Sequence, residues 1–131
     1  MINRRNVFAV GALLATAHLG VRPAAAEPAL GDDGLYKQDW FLQSFLELGP
    51  DLEDAAAEGK RFAVVWELSG CPYCKDMHLV NFADPVVRDY IREHFVLLQV
   101  NLVGNLDVED FDGSVLAERD LAARYGVRFT P

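Results

Sequence analysis

Residues 62–77, FAVVWELSGCPYCKDM, constrain this chain more than any other stretch. A near-continuous apolar run reads as a strand covered on both faces, as in α/β sheets. Ser69 and Gly70 make a turn, and Cys71-Pro72-Tyr73-Cys74 then opens a helix that continues through Met77, Leu79 and Val80. The chain has 2 cysteines, and both are in this motif. A strand that delivers a Cys-x-x-Cys pair onto the first turn of a helix is what a dithiol/disulfide redox centre needs. The helix end favours a thiolate, and the spacing lets the second sulfur reach the first.

Within that motif the roles follow from position. Cys71 is closest to the exposed turn and is expected to be the attacking thiolate; Cys74, further in, is expected to resolve the mixed disulfide. Pro72 suits a first helical turn, where a missing N–H costs nothing, and Tyr73 between the sulfurs is expected in the substrate contact surface. This chemistry runs on the two sulfurs and calls for no cofactor. A structural staple is the competing reading, but so short a loop constrains little of an unfolded chain.

Glu67, four residues before Cys71, carries two readings. It is either a solvated end-of-strand residue or a carboxylate beneath the sulfurs that takes the proton of Cys74. It shares strand parity with Val65, but periodicity does not say which face that is. His78 follows Cys74 by four residues and is expected to be a helix-face histidine. A metal bound by Cys71, Cys74 and His78 would want a fourth ligand, and only Glu67 or a water is conceivable.

The N-terminus speaks to location. Residues 1–26 have a basic start (Arg4, Arg5), an apolar run over 7–21 and an Ala24-Ala25-Ala26 end, the pattern of a cleaved export signal. The apolar run is shorter than the roughly 20 residues a spanning helix needs. The paired arginines suggest the twin-arginine route; an uncleaved anchor is the alternative. Residues 27–131 are then expected to form one domain, without stable membrane insertion. The formal charge of −8 becomes more negative once the signal is removed, which argues against nucleic acid and anionic lipid as partners.

The remaining segments read as follows. Residues 27–34 are expected to be a polar, mobile lead. Residues 39–48 space Phe41, Leu42, Phe45 and Leu48 as a helix with Trp40 beside it, ended or kinked at Gly49-Pro50; 51–58 continue as helix, with Gly59 as its cap. Asp84 and Pro85 start a helix whose buried side is expected to carry Val86, Val87, Tyr90 and Ile91. FVLLQVN, 95–101, is a second strand, parallel to the first through the helical crossover. Residues 101–113 are expected to be a solvated acidic loop, since Phe111 and Gly113 break the register of a calcium loop begun at Asp107. A short helix is expected over 116–125 with Gly126 as cap, and 127–129 to begin a strand. Two strands are too few for a stable sheet, so the sequence reads as truncated.

Three segments, WELSGCPYCKDMHLVNFADPVVRDYI, FVLLQVNL and LAARYGVRFTP, together resemble the thioredoxin superfamily, and more closely the exported thioredoxins of bacterial sulfur-oxidation (Sox) systems. The resemblance implies a central sheet flanked by helices, with Thr130-Pro131 at the position of a cis-proline pair that packs on the dithiol and binds the substrate backbone. The chain differs from thioredoxins proper in having Pro-Tyr between its cysteines and Val65 where they carry a buried acid. Family members also continue past the cis-proline into two strands and a helix. The resemblance further implies a periplasmic reductase of client proteins bearing cysteines or disulfides, with electrons from a membrane thiol-disulfide donor. A disulfide oxidase or isomerase, a non-catalytic module docking through 39–48, and a metallochaperone are the alternatives.

Overall fold

The computed structural model describes residues 28–131; the expected export signal lies outside the described residues. Around the site are two parallel strands, β3 (Arg61–Glu67) and β4 (Phe95–Asn101), paired in register from Arg61 opposite Phe95 to Glu67 opposite Asn101. Between them the chain passes through α2 (Pro72–Asp76), a π-helical turn Met77–Asn81, and α3 (Pro85–His94). This is the helical crossover that a parallel pair requires. Ahead of β3 lie a small antiparallel hairpin, β1 (Ala29–Leu30) with β2 (Tyr36–Lys37), and the helix α1 (Leu48–Ala57). After β4 come a second hairpin, β5 (Asp107–Glu109) with β6 (Val115–Ala117), and α4 (Glu118–Arg124).

Strand parity sorts the core into two layers. Phe62, Val64 and Trp66 point to one face of β3, where Leu48, Leu98, Val100, Val108 and Leu121 are buried. Ala63 and Val65 point to the other, against Phe41, Phe82 and Leu97. Each fully buried Leu or Val contributes about 1.5–3 kcal/mol relative to exposure, so the two layers hold the strands in place from both sides. Glu67 has the parity of Val65 and is consequently carried into the aromatic layer.

Several expectations are corrected. Residues 39–47 form no helix: Leu42 N–H donates to the Leu97 carbonyl at 2.8 Å, so this segment runs along β4 instead. That course buries Phe41 and leaves Phe45 95% exposed. Leu46 sits at φ +63°, with the Ser44 hydroxyl accepting its N–H and donating to Asp51. The helix begins only at Leu48, with Gly49 and Pro50 inside its first turn, where proline is tolerated. Its end is as expected, with Gly59 at φ +72° just past the last turn. The polar lead is the ordered hairpin β1–β2, pinned to β4 by Gln99, whose amide donates to the Tyr36 carbonyl at 2.7 Å and accepts from Lys37 at 2.8 Å.

Asp84 caps α3 through the N–H groups of Val86 and Val87, as its sequence position implies. The buried side of α3 differs, however. Val86 and Tyr90 are exposed, Val87 is 38% exposed, and of the four only Ile91 packs on the aromatic layer. The acidic loop is the β5–β6 hairpin, closed by a buried Asp110 that accepts from the Tyr125 hydroxyl at 2.6 Å and pairs with Arg124. Residues 115–117 are accordingly a strand that feeds α4, and 127–129 form none.

Candidate active site

The site is assembled where β3 hands over to α2. Cys71 is the N-cap of α2 in an extended conformation (φ −72°, ψ 114°), Pro72 is the first helical residue, and Cys74 lies one turn in. No disulfide joins the pair, so this is the dithiol geometry. The Cys71 Sγ accepts the Cys74 N–H at 3.1 Å and the Thr130 hydroxyl at 3.3 Å, and lies 3.8 Å from the Thr130 carbonyl oxygen. Thr130 reaches this position from the far end of the chain, and its peptide bond to Pro131 is cis. Tyr73 is exposed beside the sulfurs, whereas Cys74 is buried.

These surroundings set the two thiols apart. Partial burial pushes the Cys71 thiol up, but hydrogen bonds from the Cys74 and Thr130 side chains and from the backbone of Cys74 and Tyr73 outweigh it. The net result is a Cys71 more acidic than an ordinary cysteine. Burial, followed by the neighbouring Cys71 sulfur, holds Cys74 above its ordinary value. A lowered value moves the half-thiolate point to lower pH. Iodoacetamide is therefore expected to label Cys71 with a midpoint below the roughly 8.5 of a free thiol. Cys74 stays unlabelled over the same range. Peptide mass spectrometry across a pH series reads both, and labelling of Cys74 first would contradict this ordering.

Glu67 is not a solvated strand end. Its side chain is fully buried, as is that of His78, and His78 Nε2 lies 2.7 Å from Glu67 Oε1. His78 is thereby corrected from a helix-face residue to a core one, boxed by the rings of Phe41 and Phe82. Its other ring nitrogen, Nδ1, faces Gln38 Nε2 at 3.2 Å. With both nitrogens turned to Glu67 and Gln38, His78 does not converge with the sulfurs as a metal ligand. Among the described residues, no group of three His, Cys, Asp or Glu side chains is arranged to hold a metal ion.

A cleft of about 350 Å³ opens beside the pair, lined by Cys71, Pro72, Cys74 and Glu67 on one side and by Leu35 and Tyr36 of the N-terminal hairpin on the other. The hairpin approaches closely because Gly34, at φ +76°, has no Cβ: a side chain there would collide with Ser69. The structure thus brings Cys71, Pro72, Cys74 and Glu67 together along one cleft and Thr130 onto the Cys71 sulfur, with Pro131 next to Thr130 in the chain and Tyr73 exposed between the two cysteines. Sequence reasoning missed the Glu67–His78 pair and its Gln38 partner. The one available signal was the placement of His78 a helical turn beyond Cys74, which put it near the site without revealing its orientation.

A strand-to-helix dithiol with one activated and one buried sulfur is a thiol-disulfide oxidoreductase active site. Among the described residues no helix is long and apolar enough to cross a membrane. Comparison with protein families matches a thioredoxin-like domain over residues 48–131. Comparisons with curated proteins and with solved structures each returned no match. The family match spans more than half of the sequence and includes both cysteines and the Thr130-Pro131 pair, so the chain belongs to the thioredoxin-like domain family.

Proposed function

We propose that the protein is an exported, periplasmic reductase of client disulfides or mixed disulfides, those of a sulfur-oxidation system, recharged by a membrane thiol-disulfide donor. The observation that carries this reading is the asymmetry of the dithiol. Cys71 is accessible and hydrogen-bonded by Cys74 N–H and the Thr130 hydroxyl, while Cys74 is buried behind it. In this scheme Cys71 attacks the client disulfide and Cys74 displaces the client from the adduct. Glu67 accepts the Cys74 proton. Pro72, Tyr73, Thr130 and Pro131 hold the client segment across the sulfurs. Export rests on the sequence of residues 1–26, and the Sox setting on the resemblance of the segments around the dithiol.

The deciding measurement is the equilibrium reduction potential of the Cys71–Cys74 pair in a glutathione or dithiothreitol redox buffer. A value near the roughly −270 mV of thioredoxin is expected for a reductase. A value near the roughly −120 mV of a strong periplasmic oxidant would overturn the reductase assignment and make the protein a disulfide oxidase.

A further inference from the structure

The polar path that ends on Glu67 runs in one direction. An indole N–H can only donate, so the 3.2 Å contact from Trp40 Nε1 fixes the amide oxygen of Gln38 toward Trp40. Gln38 Nε2 consequently faces His78, 3.2 Å from Nδ1 and 3.3 Å from the backbone carbonyl, with one N–H for each. Nδ1 must therefore accept. A neutral imidazole that accepts at Nδ1 carries its proton on Nε2, and that Nε2–H is aimed at Glu67 Oε1, 2.7 Å away. The other oxygen of Glu67, Oε2, is buried with no hydrogen-bond partner. Leaving such an atom unpaired is costly, and Glu67 lines the same cleft as Cys74.

Building on the reading of Glu67 as acceptor of the Cys74 proton, we propose that Trp40, Gln38 and His78 are positioning residues. They hold His78 in its Nε2–H tautomer, which occupies Oε1 and leaves Oε2 as the single oxygen open to that proton. In the step so arranged, the Cys74 S–H proton passes to Oε2 and the Cys74 sulfur attacks Cys71 Sγ of the mixed disulfide. The Cys71–Cys74 bond forms, the Cys71–client bond breaks, and the client sulfur leaves as a thiolate that takes a proton from water. The dithiol is oxidised by two electrons and the client reduced by two. Apart from Glu67, the titratable group facing His78 is Tyr36 of β2, with ring centroids 5.9 Å apart; Phe41 and Phe82 are its apolar neighbours. Gln38 and Trp40 precede residue 48, where the thioredoxin-like family match begins. The proton path of this chain is thus oriented by a segment outside the shared domain.

The test uses the full-length protein and two readouts. Imidazole nitrogen-15 NMR at neutral pH reports the His78 tautomer. Release of a chromophoric thiol from a preformed Cys71 mixed disulfide reports the resolving step. The wild type is expected to show a protonated Nε2 and an unprotonated Nδ1. Gln38→Leu, which removes the donor to Nδ1, is expected to let the Nδ1–H tautomer appear and to slow release on the order of tenfold. Trp40→Phe keeps a ring in the aromatic layer and removes only the indole donor, so it tests the same point should Gln38→Leu fail to fold. A protonated Nδ1 in the wild type, or an unchanged tautomer and release rate in both variants, would overturn the proposal. Glu67→Gln separates the two levels. Unchanged release in that variant defeats the acceptor role itself, whereas slowed release with an unlocked wild-type tautomer defeats only the relay.

Discussion

Cys74→Ser is expected to stop turnover of a model disulfide client at background level while accumulating a covalent adduct through Cys71. Cys71→Ser is expected to give neither turnover nor adduct. The asymmetry follows from access. Cys71 caps the start of α2 beside the cleft and is stabilised by donors from Cys74 and Thr130, while Cys74 is buried and can reach only a partner already bonded to Cys71. Without the second sulfur, the mixed disulfide has no internal thiol to resolve it. Non-reducing mass spectrometry after incubation with client detects the adduct directly. An adduct formed by Cys71→Ser would reverse the assignment of the two sulfurs. Full biological activity in a protein lacking both thiols would make the fold a binding module instead.

The second large effect concerns Glu67, where two substitutions separate chemistry from stability. Glu67→Gln keeps an oxygen to accept the His78 Nε2–H and removes the carboxylate proposed to take the Cys74 proton. It is expected to slow the resolving step by about 10²–10⁴ with little change in denaturant midpoint. Glu67→Leu removes both, leaving the fully buried His78 without its 2.7 Å partner. It is expected to show the same kinetic loss together with about 1–3 kcal/mol of destabilisation, the cost of an unsatisfied buried donor. Urea titration and single-turnover release measure the two quantities separately. Equal stability losses in both variants would show that the carboxylate, and not merely an acceptor oxygen, is what His78 requires.

How far the chain could be read in advance depended on whether local chemistry or packing decided each element. The strand Arg61–Glu67, the turn at Ser69-Gly70 and the helix starting at Pro72 are dictated by residues adjacent in sequence, and so was the Asp84-Pro85 start of α3. The 39–48 segment misled because its apolar spacing fits a helix, yet the backbone donor of Leu42 is taken by the Leu97 carbonyl of β4. A long-range hydrogen bond of that kind leaves no periodic trace. On α3, an apolar cluster was present but its docking face was not; Val86 is 79% exposed because the helix meets the sheet through Ile91.

The sequence alone determined the chemistry of the site: two cysteines at the spacing that permits exchange, delivered by a strand onto a helix, with a carboxylate four residues ahead. It did so because those relations span a few bonds and depend on local geometry. The tertiary structure decided what surrounds that dithiol. It carried Thr130 across 59 residues of chain separation to the Cys71 sulfur, and turned Glu67 inward onto His78. It also brought Gln38 and the N-terminal hairpin against a site they precede in sequence. The parity of Glu67 along β3 was legible from the outset, but which face of the sheet would be dry was not. That was settled only when the aromatic residues of two separate segments, Trp40-Phe41 and Phe82, packed over it.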